Sequence, residues 1–341
     1  MKTTICLLMI LLLGLETYCQ DTKTPQWQLQ FSGVTSSIRG ASAVNADVCW
    51  LGTQGGLIRT TDGGANWHKI NIPGADSLDF RDVQAFGDQE CIAMSAGSGG
   101  ASRIYKTLDG GATWKLVKQN THENGFYNGM AFWGENTGVL AGDPVYSTLY
   151  ILKTTDGGDT WREIDPDKLP LLQGGEYGFA ASGTHIAVQG SDKAFVGTGG
   201  SVARIFYSDD QGESWKVADT PMISGASSQG TFSVAFQNKE YGMAVGGDYT
   251  KEQEGHDNMI VSYDGGKTWQ LTVGVDLDFR SCIAFVGSKV IAVGPSGSEI
   301  SFDGGRSFVS LGNMGFHTLT VSPDGEGVWA AGAGGVVGRL E

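Results

Sequence analysis

Arg39, Arg81 and Arg280 each follow a large apolar residue, in Ile38-Arg39-Gly40, Phe80-Arg81-Asp82 and Phe279-Arg280-Ser281. Set at one register, with Tyr127 as the counterpart in a further copy, they converge on a common opening. In a chain of net charge −14 they would form a local anion site, because guanidinium forks match carboxylates bidentately. Neighbouring acids such as Asp82 and Asp278 offer the competing arrangement, ion pairs that merely tie segments together. Asp143, Glu176, Asp248 and Tyr249 stand in irregular stretches that would share the same opening. Paired carboxylates with a tyrosine are the ingredients of glycoside hydrolysis, although Asp143 precedes Pro144 and reads equally as a turn former.

Other chemistry finds little footing. His68, His122, His185, His256 and His317 show no metal-binding spacing, so no metal is expected; His185 and His317 lie close enough to the opening to reach it. Gly97-Ser98-Gly99-Gly100 and Gly197-Thr198-Gly199-Gly200 lack the following helix that a phosphate loop needs, and no cofactor is expected. A pI near 4.7 argues against nucleic acid, whose binders present a basic face. Cys49, Cys91 and Cys282, without CxxC spacing, read as small buried hydrophobes.

These residues need a scaffold, and its unit is the octapeptide Thr107-Leu108-Asp109-Gly110-Gly111-Ala112-Thr113-Trp114. Five variants follow the same pattern, at residues 60–67, 154–161, 208–215, 262–269 and 301–308. The pattern is that of a hairpin turn: Asp and Ser/Thr side chains bond nearby backbone, glycines supply positive φ, and the aromatic packs back between sheets. The structural aspartates are Asp62, Asp109, Asp156, Asp210, Asp264 and Asp303, spaced by 47, 47, 54, 54 and 39 residues. That period holds four short strands, the size of one propeller blade. The turn joins the third strand (C) to the fourth (D), and Trp67, Trp114, Trp161, Trp215, Trp269 and Phe308 become wedges between blades.

After the last octapeptide the chain has strands A, B and C of another blade and then stops, while residues 27–31 read as an unattached strand D. Joining the termini closes a seven-bladed, all-β propeller with a three-plus-one blade and removes exposed edges. The octapeptides then share one face. The long irregular segments, at residues 96–102, 143–148, 165–177, 220–230 and 248–258, decorate the other, where the arginines lie.

Residues 1–19 read as a signal peptide: a charged start, an apolar run over residues 5–15, then a plausible cleavage near Gln20. A lipid anchor on Cys19 is the alternative. The expected product is an exported single domain over residues 20–341, periplasmic or extracellular and monomeric, with no membrane-spanning segment.

The octapeptide resembles the Asp-box, or BNR repeat, of sialidase-type propellers. The chain end to end resembles exported bacterial seven-bladed BNR propellers similar to the photosystem II stability/assembly factors. The segments Phe126-Tyr127-Asn128-Gly129-Met130-Ala131-Phe132-Trp133, Gly142-Asp143-Pro144-Val145, Phe179-Ala180-Ala181-Ser182-Gly183-Thr184 and Gly246-Gly247-Asp248-Tyr249 carry the likeness to one bacterial branch. The resemblance implies a non-enzymatic binding or assembly module that recognises a protein or acidic ligand through an arginine patch matching Arg39, Arg81 and Arg280. It leaves two alternatives: a carbohydrate-active glycoside hydrolase and, more weakly, an oxidoreductase. The sialidase Arg-Ile-Pro motif is absent, since the corresponding residues are Ser37-Ile38-Arg39-Gly40.

Overall fold

Short apolar runs broken every few residues by glycine and Asp/Ser turns cannot sustain helices, and the chain folds into strands throughout. A computed structural model describes residues 24–341; the expected signal peptide lies outside the described residues. Seven antiparallel sheets form the blades of a β-propeller, six of them four-stranded and one six-stranded. Blade one shows the plan, with strands Gly40–Ala43, Cys49–Thr53, Gly56–Thr60 and His68–Asn71 running from channel to rim. Burial follows that order: Cys49–Thr53 is wholly buried, whereas His68–Asn71 is mostly exposed. Blade five gains its extra strands from Glu176–Tyr177 and Gly199–Gly200, added inside its innermost strand Ala226–Phe236. Among the described residues no helix is long and apolar enough to cross a membrane.

The expected closure is present. Trp27–Phe31 pairs antiparallel with Val336–Leu340, with Trp27 opposite Leu340 and Phe31 opposite Val336. Backbone bonds between Gln26 and Glu341, 2.8 and 3.0 Å, extend the seam by one residue.

The turns behave as their side chains dictate. In the second octapeptide Asp109 Oδ1 accepts from Thr113 N at 2.8 Å and Oδ2 from Thr113 Oγ1 at 2.6 Å, while Thr107 Oγ1 accepts from Gly111 N at 2.9 Å. Gly110 and Gly111 take φ of 70° and 88°, which a Cβ would strain. Bonds from the Thr113 side chain and backbone, then from Thr107, hold the Asp109 carboxyl below the usual range.

Every blade interface contains its own apolar cluster, and each receives one aromatic wedge. Trp67, Trp114, Trp161, Trp215, Trp269 and Phe308 supply six of them, as expected. The seventh is Trp27, at the start of the closing strand, packed 5.0 Å from Phe316 and donating to Ser298 Oγ at 2.8 Å. The strand that closes the ring therefore also brings the missing wedge. Cys49, Cys91 and Cys282 are buried and free.

Removing residues 24–31 would delete both strand and wedge. Scanning calorimetry should show a transition lowered by roughly 10 °C or more; an unchanged transition would mean the seam is not holding the ring.

Candidate functional site

What reaches the channel mouth is decided by one position on the innermost strands, which in some blades is a backbone irregularity. The innermost strands of blades two, three and five carry β-bulges between Phe80 and Asp82, Tyr127 and Gly129, and Thr231 and Ser233. The extra residue, Arg81, Asn128 or Phe232, is left out of the ladder and re-aimed, a common use of bulges. In blades one, six and seven the same position, just before the pairs Gly40↔Gly52, Cys282↔Val293 and Thr318↔Ala331, belongs to Arg39, Ser281 and His317.

This register corrects two expectations. Arg280 and Tyr127 each lie one residue too early, alongside Ile38, Phe80 and Phe316, all fully buried between blades or nearly so. A one-residue slip turns a side chain to the other side of a strand. Arg280 consequently points into the packing, where its Nε donates to Glu299 Oε2 at 2.7 Å, its Nη2 to Glu299 Oε1, and its Nη1 to Ser296 Oγ at 2.9 Å. Tyr127 lies flat against Tyr150 at 6.1 Å, and burial pushes its hydroxyl pKa up. The convergence is of two arginines, not three.

Arg39, Arg81, Phe232, Ser281 and His317 line a cavity of about 270 Å³, with Phe179, Phe279, Tyr249 and Glu252 completing its wall and lip. Its floor is a segment the sequence reading did not single out for this purpose. Residues 178–185, irregular between Glu176–Tyr177 and Ile186–Gln189, cross the channel. Arg39 and Arg81 donate to the Ala181 and Ala180 carbonyls at 3.4 and 3.3 Å. Ser182 Oγ donates to Ser281 O at 2.8 Å, Thr318 Oγ1 to Ser182 O at 3.0 Å, and Thr184 Oγ1 to Ser233 Oγ at 2.7 Å. Ala180 and Ala181 face the mouth cavity, whereas Ser182, Gly183 and Thr184 line a separate space of about 540 Å³ on the octapeptide side. The channel is plugged. The signals for this were the 54-residue interval between Asp156 and Asp210 and the small-residue run Ala180-Ala181-Ser182-Gly183.

Asp82 shows how closely the plug is fitted. Its carboxylate accepts from Val83 N at 2.8 Å and Met130 N at 2.6 Å, and a Cβ on Gly183 would lie 2.6 Å from Oδ1. Burial raises its pKa to about 8 despite those two bonds. Asp82 is thus a latch between blades two and three and not the partner of Arg81. That partner is Asp79, at 2.7 Å.

Arg39 has no carboxylate within 4.0 Å among the described residues. Burial, then the adjacent Arg81, lowers its pKa, and Asp79 only partly opposes them. Burial, then Arg39 and Arg81, pushes His317 down to about 4. His317 reaches the mouth as expected. His185 does not: it is fully buried at the end of the plug, where desolvation lowers it to about 3.

The remaining candidates separate. Tyr249 stands exposed on the lip. Asp143 is bonded by Asn128 Nδ2 at 2.7 Å, and burial raises its pKa. Asp248 is a turn former: Thr250 N and Oγ1 donate to Oδ1 at 3.0 and 2.6 Å, and its pKa falls to about 2, hydrogen bonds outweighing desolvation. Glu176 is buried, accepting from Arg204 Nε at 3.0 Å and Thr198 Oγ1 at 2.6 Å. These carboxylates do not meet over the mouth cavity, whose lining includes none of the three.

A family model described as BNR/Asp-box repeat matches residues 206–217 and 260–271. No curated protein matches the sequence. The solved structure "YCF48 bound to D1 peptide" is 16% identical, covering 93% of this chain and 97% of its own, with a TM-score of 0.66. "YCF48 from Cyanidioschyzon merolae" is 15% identical, covering 93% of this chain and 99% of its own, with a TM-score of 0.61. At such identity the likeness is one of fold.

Glu176→Ala would leave Arg204 buried without its counter-charge and should cost roughly 3–5 kcal/mol in urea unfolding. The titrating groups oppose one another. Asp82 has its pKa raised on folding from 3.8 to about 8, so its stabilising contribution is full below pH 3.8 and is lost as pH rises through 8. His317, lowered from 6.5 to about 4, contributes above pH 6.5 and loses that contribution as pH falls through 4. Asp82→Asn should flatten the dependence of the urea midpoint between pH 5 and 8; an unaltered slope would show that Asp82 does not titrate there.

Proposed function

We propose that the protein is a non-enzymatic binding propeller, exported from the cell, that holds an anionic segment of a protein partner in the mouth cavity. One observation carries this reading: Arg39, half-buried on the cavity wall, has no acid of its own and sits beside a second guanidinium. Leaving charge of one sign concentrated and partly desolvated is unfavourable unless a ligand of opposite charge completes the set. Arg81, already balanced by Asp79, is held in place to share the ligand. The blind floor supports recognition by contact over passage through the channel. The fold likeness to YCF48 bound to D1 peptide supports a peptide as the kind of occupant. Asp143, Glu176 and Asp248 each serve a local structural partner, which removes the pair of facing carboxylates that glycoside hydrolysis would use.

The test is anisotropy of a labelled Glu-rich decapeptide against its Gln counterpart. The acidic peptide should bind, more weakly at high salt, and Arg39→Ala with Arg81→Ala should weaken it by about tenfold or more. Circular dichroism would verify that this variant still folds. Equal binding of both peptides, or undiminished binding by the folded double variant, would refute the reading.

A further inference from the structure

The mouth has a second, apolar half that the packing of the propeller does not explain. Seven apolar clusters account for the seven blade interfaces. An eighth, made of Phe179, Phe232 and Phe279, belongs to none of them. Its members come from three places: the plug, the bulge of blade five and the approach to blade six. Phe232 stacks on Phe179 at 3.9 Å and meets Phe279 edge-on at 4.8 Å, while Tyr249 stands 6.1 Å away on the lip. All four line the cavity that holds Arg39 and Arg81. Phe232 occupies the bulge position that Arg81 occupies in blade two, so one backbone device aims an aromatic ring from one side and a guanidinium from the other.

Resting on the anion-binding reading above, we infer that the ligand carries its carboxylate a short linker away from an aromatic or branched apolar group. The apolar group seats against Phe179, Phe232 and Phe279, and the carboxylate lies on Arg39 and Arg81. Three arguments support the assignment. An apolar group seated on these buried rings leaves water itself, and the gain scales with the apolar area so covered. The charges also orient the ligand: Glu252 stands at the lip beside Phe279, whose N donates to Glu252 O at 3.1 Å, and its carboxylate repels a ligand acid from the aromatic side. Finally, about 270 Å³ closed below by the Ala180 and Ala181 carbonyls lies at the small end of ligand sites, room for one residue-sized group and not for a glycan chain.

Calorimetric titration of the folded protein with 3-phenylpropionate, propionate and 3-phenylpropionamide separates the two halves. Phenylpropionate should bind about tenfold or more tighter than propionate, which lacks the buried ring, and about tenfold or more tighter than the amide, which lacks the charge that the guanidinium pair recognises. Phe232→Ala should abolish the preference over propionate, and Arg39→Ala the preference over the amide. Because Phe232→Ala could disturb the fold, Tyr249→Ala, at the exposed lip, provides a second readout and should weaken phenylpropionate more than propionate. Two peptides identify the source of the chemistry: one capped at both ends, whose internal Glu-Phe pair competes with phenylpropionate, indicates a protein segment, and competition only by one capped at its N-terminus and ending in a free C-terminal Phe indicates a chain end. If propionate equals phenylpropionate while the Glu-rich peptide still depends on Arg39 and Arg81, this inference fails and the anion-binding reading stands. If neither arginine matters to any probe, both fall.

Discussion

The seam between the two ends of the chain is the constraint on which everything else hangs. Seven twisted sheets arranged in a circle bury their faces only if the last meets the first, and an open ring would expose two apolar faces as well as unpaired backbone. Pairing Trp27–Phe31 with Val336–Leu340 satisfies the backbone, and Trp27 fills the interface that lacks an octapeptide aromatic. The same few residues therefore meet a hydrogen-bonding demand and a packing demand. Once the ring is closed, the innermost strands are held at fixed distances around one axis, and positions from distant parts of the chain become neighbours.

That rigidity lets small backbone details decide chemistry. A bulge adds one residue to a strand and redirects a single side chain while the ladder resumes on either side. Arg81 and Phe232 reach the mouth through this device, and Arg39 and His317 through the equivalent position where the strand begins. Arg280, one residue away from that register, enters a buried ion pair with Glu299. The same residue type is a potential ligand contact at one position and a structural anchor at the next. Burial and available partners make the difference, since a guanidinium with a bidentate carboxylate has little left to offer a ligand.

The plug turns a channel into a cup. Its backbone carbonyls and hydroxyls find partners on blades one, two, five, six and seven, as a polar segment crossing a buried axis must. Glycine permits the tight passage at Gly183, whose φ is 75° and whose missing Cβ leaves room for the Asp82 carboxylate. The two faces of this segment see different surroundings: arginines and phenylalanines above, a wider apolar and hydroxyl-lined space below.

Much of this was legible in the sequence because it is local or repetitive. The octapeptide turns depend on side chains two to four residues apart, so their geometry is written in the order of the residues, and their recurrence counts six of the seven blades. The odd strand at each end announced the closure. The mouth was only half legible. Arg39 and Arg81 line the mouth at the register of the repeat alignment, and His317 and Tyr249 line it too, but Arg280 and Tyr127 stand one residue before that register, a difference that composition does not mark. Glu176 and Asp248 lie in stretches whose sequence reads as irregular and suits a turn former or a solvated loop residue as well as a site carboxylate, Arg204 meets Glu176 only through the fold, and the aromatic cluster was invisible because Phe179, Phe232 and Phe279 lie about fifty residues apart. Local chemistry determined the turns, the strands and the number of blades. Only the closed ring decided which side chains share a cavity, since contacts between separate blades depend on register and on what crosses the axis.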